Sequence, residues 1–152
     1  MINPVEKDLP LFSYDRIHAM GNDTLIIELY DTMLGDCKLH KLVNVKNEYT
    51  DLIEHDLGTH WYDSIKLKES VAKKGKKTQT NKFNELTTAY LEAYLDGANQ
   101  LPAVNKEEKK KKASVYVEGL LEHGGPSTDV FKKKMGPEKT AELFRQVLFG
   151  TK

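Results

Sequence analysis

Apolar side chains in the first half of the chain are spaced as on one face of a helix. Between Asp36 and Gly58 they recur at three- and four-residue steps, at Leu39, Leu42, Val43, Tyr49, Leu52 and Ile53. This period is typical of an amphipathic helix. We therefore predict a helix over residues 37–57, with Asp36 as its N-cap and Gly58 as its C-cap. A second helix is predicted over residues 59–74.

The second half repeats this pattern with clearer boundaries. A third helix is predicted from the apolar stripe formed by Phe83, Leu86, Tyr90 and Tyr94. Asn105, followed by Glu108 at the capping-box position, predicts the start of a fourth helix. The run Gly124-Gly125-Pro126 predicts the end of that helix. Two short helices, the second beginning at Pro137, complete the prediction.

The N-terminal region leaves two alternatives open. Residues 11–31 contain β-branched and aromatic side chains on either side of the turn-forming sequence Gly21-Asn22-Asp23, which favours a β-hairpin. Two short helices, over residues 15–20 and 25–34, are the competing interpretation. Residues 1–10 contain two prolines and are predicted to form an extended arm.

Together these patterns predict a mainly α protein. The expected fold is a compact bundle of five to six helices, with a small N-terminal β-hairpin as the open alternative. A chain of 152 residues suggests one domain. We therefore expect an extended arm over residues 1–10 and a single mainly helical domain over residues 11–152, with residues 73–82 as a basic loop.

Charge is balanced overall but unevenly distributed. The chain has 23 basic and 23 acidic side chains, which argues against a dedicated nucleic-acid coat or a polybasic membrane binder. Residues 1–64 nevertheless carry a net charge of −7, and residues 65–152 a net charge of +7. Two halves of opposite sign could attract each other within the fold or mediate head-to-tail self-association.

Cysteine use and hydropathy favour a cytoplasmic location. Cys37 is the only cysteine, so it cannot form an internal disulfide and a reducing compartment fits best. The N-terminus lacks the apolar core of a secretory signal, and no apolar stretch approaches the roughly 20 residues that span a bilayer. We therefore expect a cytoplasmic protein without membrane association.

Four side chains of a type that binds zinc occur within a short stretch: Cys37, His40, His55 and His60. In a single helix over residues 37–57, however, His55 would lie roughly 22–27 Å from Cys37 and His40, at a rise of 1.5 Å per residue. The four ligands could not then converge on one ion. We therefore predict no metal site and no cofactor, and keep these four residues as the alternative.

A lysine-rich segment is the candidate for contact with nucleic acid. The loop predicted at residues 73–82 would present five lysines: Lys73, Lys74, Lys76, Lys77 and Lys82. Such lysines can contact phosphates without reading base sequence. A basic loop can equally be a solvated surface, so nucleic-acid binding is one of two open interpretations.

No arrangement of residues in the sequence identifies an active site. The sequence has no P-loop, no dinucleotide-binding fingerprint and no nucleophile elbow. Histidines do lie among acidic residues, and such pairs can carry out acid–base catalysis. The candidates for this chemistry are His18, His55, Asp56 and His60.

These observations favour a small, non-enzymatic binding or assembly protein that acts through protein–protein contacts, as an accessory factor of a nucleic-acid-processing or phage system. The expected partner is another protein or a second copy of the chain. Nucleic acid bound through the basic loop is a further option. The alternative function is that of a small hydrolase or nuclease that uses histidine and carboxylate side chains.

Overall fold

An antiparallel sheet of four strands, and not a helical bundle, organises the molecule. The computed structural model describes residues 1–36 and 39–152, and over these residues it contains four strands and five α-helices. The strands are β1 (Leu11–Ala19), β2 (Asn22–Tyr30), β3 (Ile53–Glu54) and β4 (Val71–Lys76), in the sheet order β1-β2-β4-β3. The prediction of a mainly α bundle is therefore wrong.

The helices lie around the sheet and account for most of the second half of the chain. They are α1 (His40–Glu48), α2 (Thr80–Gln100), α3 (Lys106–His123), α4 (Pro126–Met135) and α5 (Pro137–Glu142). A 3₁₀ turn at Lys77–Gln79 leads into α2, and a π-helical segment at Leu143–Leu148 extends α5. Asn105 caps α3, because its side chain accepts hydrogen bonds from the backbone N–H groups of Glu107 and Glu108.

A two-residue turn closes the hairpin of β1 and β2. The nine-residue strands pair along their full length. Met20 and Gly21 form the turn, and both have positive φ angles, 50° and 75°, as a type I′ turn requires. Of the two alternatives for residues 11–31, the structure has the hairpin. Its turn begins one residue earlier than the sequence Gly21-Asn22-Asp23 suggests.

One face of the sheet packs against α2 and forms the larger part of the core. The buried residues of α2 are the predicted stripe of Phe83, Leu86, Tyr90 and Tyr94. The sheet contributes Phe12, Leu25, Ile27, Leu29 and Val71 to the same cluster. The rings of Phe12 and Tyr94 lie 4.9 Å apart. Removal of this apolar surface from water stabilises the contact between sheet and helix.

The opposite face of the sheet is covered at one end only. Near Leu11 and Tyr30, a second cluster that includes Tyr116, Phe144 and Phe149 packs over it. Toward the hairpin turn, side chains on this face are partly or largely exposed: Ile17, Thr24, Ile26, Ile53 and Ala72. These five residues are termed the open face. Two of its isoleucines are 50% and 72% exposed, so an apolar surface is available there.

Strand β4 replaces parts of two predicted elements. Residues 59–74 are predicted to form a helix and residues 73–82 a basic loop, but Val71–Lys76 pairs with both β2 and β3. Lysine has a low β propensity, so this segment carries no local strand signal, and pairing with distant strands determines its conformation. The helix predicted over residues 37–57 is limited to α1 because residues 53–54 join the same sheet.

The first ten residues are tied to the rest of the chain by backbone pairing. Ile2 forms a β-bridge with Phe12, and Lys7 forms one with Ala103. These bridges hold the arm against β1 and against the segment that precedes α3. The division of the chain into an arm and one further domain stays a prediction.

A buried lysine of α3 forms hydrogen bonds to two earlier segments of the chain. Lys109 is fully buried. Its amine donates hydrogen bonds to the carbonyl oxygen of Leu9 at 2.6 Å and to that of Thr32 at 2.7 Å. These bonds compensate for the removal of a charged group from water, and they fix α3 against the end of the arm and the segment that follows β2.

Candidate functional site

A buried carboxylate lies where the open face meets the second cluster. Glu28 is two residues from Ile26 on β2 and is only 7% exposed. Its Oε2 atom accepts a hydrogen bond from the Tyr30 hydroxyl at 2.6 Å. Its Oε1 atom has no hydrogen-bond partner within the described residues and lies 3.8 Å from the Lys66 amine. Because such a buried oxygen is costly, a ligand that supplies a donor would be stabilised there.

Tyr30, which donates to this carboxylate, packs against two further tyrosines. The ring of Tyr30 stacks on that of Tyr116 at 4.3 Å and meets the ring of Tyr62 edge-on at 5.3 Å. Burial raises the pKa values of Tyr30 and Tyr116 far above the ordinary range and raises the pKa of Tyr62 to about 12. All three therefore stay neutral near pH 7 and can donate hydrogen bonds.

Lys66 supplies the nearest positive charge. Its amine pairs with Asp63 at 2.8 Å and lies 5.7 Å from the ring centre of Tyr62. The backbone N–H of His60, together with the Lys66 amine, holds the pKa of Asp63 below its usual value. Since the Lys66 amine lies between two carboxylates, it can compensate either of them or the anionic group of a ligand.

A cavity opens beside Glu28. It has a volume of about 250 Å³, and its lining includes Glu28, His55, Asp56, Lys66, Ser70 and Ala72. Strands β3 and β4 meet at its edge, where the His55 N–H donates to the Ala72 carbonyl oxygen at 2.9 Å. Ala72 also belongs to the open face, so a bound molecule could extend from the cavity across the sheet. This arrangement suits a ligand with a flat apolar surface and polar groups at its edge.

The residues predicted for acid–base chemistry do not all come together. His55 and Asp56 line the cavity, but the carboxylate of Asp56 accepts a hydrogen bond from the backbone N–H of Gly58 at 2.8 Å. His60 stacks on Tyr62 with 4.8 Å between the ring centres. His18 lies near the hairpin turn, at the other end of the sheet from Tyr30. A catalytic role for these residues stays a prediction.

His18 belongs to a separate polar cluster around Asp23. The carboxylate of Asp23 is almost fully buried and lies 2.5 Å from Nδ1 of His18. It accepts hydrogen bonds from Arg16 at 2.9 Å and from the Thr80 hydroxyl at 2.6 Å. The Thr80 hydroxyl, with His18 and Arg16, lowers the pKa of Asp23 to about 2. The cluster joins the hairpin to the start of α2, which gives it a structural role.

The five lysines predicted to contact nucleic acid do not form one loop. Lys73, Lys74 and Lys76 belong to β4, Lys77 to the 3₁₀ turn and Lys82 to α2. Lys73 is buried, and its amine donates to the Glu54 carboxylate at 2.6 Å. Lys82 pairs with Asp51. Contact of these lysines with nucleic acid stays a prediction, but the flexible loop that motivated it is replaced by a strand and a helix.

The alternative zinc ligands are spread over several elements. Over residues 1–36 and 39–152, no group of three or more His, Cys, Asp or Glu side chains is placed to hold a metal ion. His40 begins α1, His55 follows β3, and His60 lies in the segment before the turn at residues 61–65. Cys37 lies outside the described residues.

None of the residues at the centre of this site is among the predicted site residues: Glu28, Tyr30, Tyr62, Lys66 and Tyr116. One signal was available, because Glu28 is the one charged residue in the strand-like run 24–30. A charge within a buried strand requires a partner or a function. The other members carry no such signal, since residues 62–66 and α3 meet β2 only in the folded chain.

Comparison with known proteins gives a likeness of fold. No protein-family profile and no curated protein matches this chain. Among solved structures, it is similar to the crystal structure of phytochromobilin synthase from tomato in complex with biliverdin. The two chains are 13% identical, with a TM-score of 0.67 over 97% of this chain and 57% of the tomato protein. The chain thus spans little more than half the length of that protein.

This likeness corrects two predictions. The fold is a sheet flanked by helices, as in the tomato protein, and not a mainly α bundle. The predicted function, a non-enzymatic assembly protein with a hydrolase or nuclease as the alternative, is also wrong by this comparison. The fold is shared with a protein whose crystal structure contains biliverdin.

The remaining predictions concern the surroundings of the protein. Of the described helices, none combines the length and the apolar composition needed to cross a membrane. The cytoplasmic location, a protein partner or homo-oligomer, and the absence of a cofactor stay predictions.

Proposed function

We propose that this chain binds a flat, conjugated small molecule of the linear tetrapyrrole class against the open face of its sheet. The observation that carries this proposal is the Oε1 atom of Glu28, a buried carboxylate oxygen without a hydrogen-bond donor among the described residues. It lies at a cavity that adjoins an uncovered apolar surface. The likeness to a structure that holds biliverdin supports this class of ligand.

The chemistry of a linear tetrapyrrole matches the groups around Glu28. Such a molecule presents pyrrole N–H donors along one edge and carboxylates on short side chains. The N–H groups would satisfy Glu28 Oε1, and the carboxylates would pair with Lys66 or with the exposed Lys74 on the same face of the sheet. The conjugated plane would cover Ile26 and Ala72 and remove their apolar surface from water.

Titration with biliverdin tests the proposal directly. We expect its visible absorption band to shift on addition of the protein and to saturate at a ratio of one to one. Glu28→Gln removes the charge and should weaken binding by about 10- to 100-fold, because hydrogen bonds to charged groups contribute about 1.5–3 kcal/mol. Glu92→Gln, at an exposed position of α2, should leave the affinity unchanged.

Two outcomes would overturn the proposal. One is the absence of a saturable shift with wild-type protein whose circular dichroism shows that it is folded. The other is equal affinity of the Glu28→Gln and Glu92→Gln variants, which would exclude Glu28 as the anchor. Circular dichroism of both variants establishes that any loss of binding does not result from loss of structure.

A further inference from the structure

A second groove lies between α3 and the turn at residues 61–65. Its volume is about 520 Å³, and its lining includes Trp61, Ile65, Val115, Glu118, Glu122 and His123. None of these residues lines the cavity beside Glu28. The groove is therefore a separate site. Its volume falls within the range of about 300–1,000 Å³ that is typical of small-molecule sites.

The indole of Trp61 forms an aromatic wall of this groove. It lies so close to α3 that a Cβ atom at Gly119 would be 2.2 Å from the indole Cζ3. The rings of Tyr116 and His123 lie 5.8 and 5.2 Å from the indole and are inclined to its plane by 28° and 25°. Tyr116, Gly119 and His123 lie on one face of α3. Their contacts with Trp61 therefore fix the orientation of the indole.

An acidic side chain borders the aromatic wall. Arg145 binds the neighbouring Glu118 through two hydrogen bonds of 2.7 and 2.5 Å, which neutralises that carboxylate. Glu122 lies one helical turn further along α3, is exposed, and forms no ion pair within the described part of the chain. Val115, which is 64% exposed, adds apolar surface. The groove thus combines an aromatic wall, an aliphatic side chain and one uncompensated negative charge.

We propose that this groove binds a small organic cation of the trimethylammonium type. A cation beside an aromatic ring and a carboxylate is attracted by the ring quadrupole and by the opposite charge. The methyl groups would contact Trp61 and Val115, and the charge would compensate Glu122. An anion would be repelled by the same carboxylate. This site goes beyond the proposed binding of a tetrapyrrole and does not depend on it.

Intrinsic fluorescence provides the test, because Trp61 is the only tryptophan in the chain. Titration with choline at constant ionic strength should give a saturable change in emission. The neutral compound 3,3-dimethylbutan-1-ol has the shape of choline without its charge and should bind at least about 10-fold more weakly. Glu122→Gln should weaken choline binding by about 3- to 10-fold. Glu138→Gln, at an exposed position of α5, should not weaken it.

Several results would overturn this proposal. They are equal binding of choline and the neutral alcohol, an affinity for choline that Glu122→Gln leaves unchanged, and a lack of any saturable response. A response to phosphatidylcholine vesicles without a response to free choline would also overturn it, since the ligand would then be a lipid surface. Failure of biliverdin to bind would not contradict this proposal, because the choline test uses a different ligand and measures the fluorescence of Trp61.

Discussion

Asp23 accepts hydrogen bonds from side chains of β1 and α2, namely those of Arg16, His18 and Thr80. The Thr80 hydroxyl contributes most to lowering its pKa, to about 2 in the folded chain against an ordinary value of 3.8. Because the folded-state pKa is the lower one, the ionised carboxylate stabilises the fold fully above about pH 4. This contribution is lost as the pH falls toward 2.

We expect Asp23→Asn to lower the free energy of unfolding at pH 7 by about 2 kcal/mol, through the loss of charged hydrogen bonds. Between pH 4 and pH 2 the difference in free energy of unfolding between wild type and Asp23→Asn should shrink, so that the two curves of stability against pH converge. Urea denaturation at half-unit intervals of pH measures this convergence. Curves that stay parallel through that range would show that Asp23 is not the source of the acid sensitivity.

Gly119 is a position where helix propensity and packing have opposite effects. Alanine has a helix propensity about 1 kcal/mol more favourable than that of glycine. Its Cβ atom at this position, however, would lie 2.2 Å from the indole of Trp61. Since overpacking costs about 1–3 kcal/mol, Gly119→Ala should be less stable than wild type in urea denaturation. At Gly97 in α2, the same substitution meets only an ordinary contact, 3.5 Å from Leu9. Gly97→Ala should therefore be neutral or stabilising, and equal effects of the two substitutions would contradict this account.

Strand β4 places adjacent lysines on opposite faces of the sheet. Lys73 is buried, and its amine donates to the Glu54 carboxylate and to the Leu52 carbonyl oxygen. Lys74 is exposed. Lys73→Ala should lower the free energy of unfolding by about 1–3 kcal/mol, because it leaves a carbonyl without its donor. Lys74→Ala should change it by less than about 0.5 kcal/mol. Thermal denaturation of both variants tests this difference, and similar melting temperatures would contradict it.

The elements that the sequence predicts well are those whose signals are local. The apolar stripe of α2 and the cap at Asn105 lie within the helices that they define. Strand β4 carries alternating burial, but three of its six residues are lysine, so its composition argues against a strand. Its conformation depends on pairing with β2, more than 40 residues earlier in the chain. Such long-range pairing outweighs local propensity, and one sequence does not reveal it.

The opposite net charges of the two halves of the chain are partly compensated by ion pairs within the fold. Residues 1–64 carry a net charge of −7 and residues 65–152 one of +7. Within the described residues, six ion pairs join an acidic group of the first half to a lysine of the second: Glu6–Lys106, Asp8–Lys109, Glu28–Lys66, Asp51–Lys82, Glu54–Lys73 and Asp63–Lys66. The attraction between the halves is thus in part intramolecular.

We expect added salt to weaken the fold modestly. Several of these pairs are exposed, and the screening length falls from about 10 Å at 0.1 M salt to about 3 Å at 1 M. Urea denaturation in 0.05 and 1 M sodium chloride should therefore give a lower midpoint at the higher concentration. Replacement of the exposed pair by Glu6→Gln and Lys106→Gln should reduce this dependence. A midpoint that rises with salt would show that the pairs make no net contribution.

The candidate site is a property of the whole molecule, which is why the sequence does not locate it. Glu28, Tyr62 and Tyr116 come from a strand, a turn and a helix that are separated by more than 30 residues at each step. Their hydroxyl and carboxylate groups are unremarkable one at a time. The site exists only where the fold brings Tyr62 and Tyr116 against Tyr30, whose hydroxyl donates to Glu28.

Lys109 sets an order of events for the folding of this chain during synthesis. Its amine binds the backbone of residues that precede it by 100 and 77 positions. Those residues leave the ribosome long before α3 has been made, and closing so long a loop is entropically costly. The hairpin can form early, but the end of the arm can accept its hydrogen bond from Lys109 only after α3 has emerged. Until then the carbonyl oxygens of Leu9 and Thr32 lack this donor, so the contact between the end of the arm and the segment after β2 is completed late.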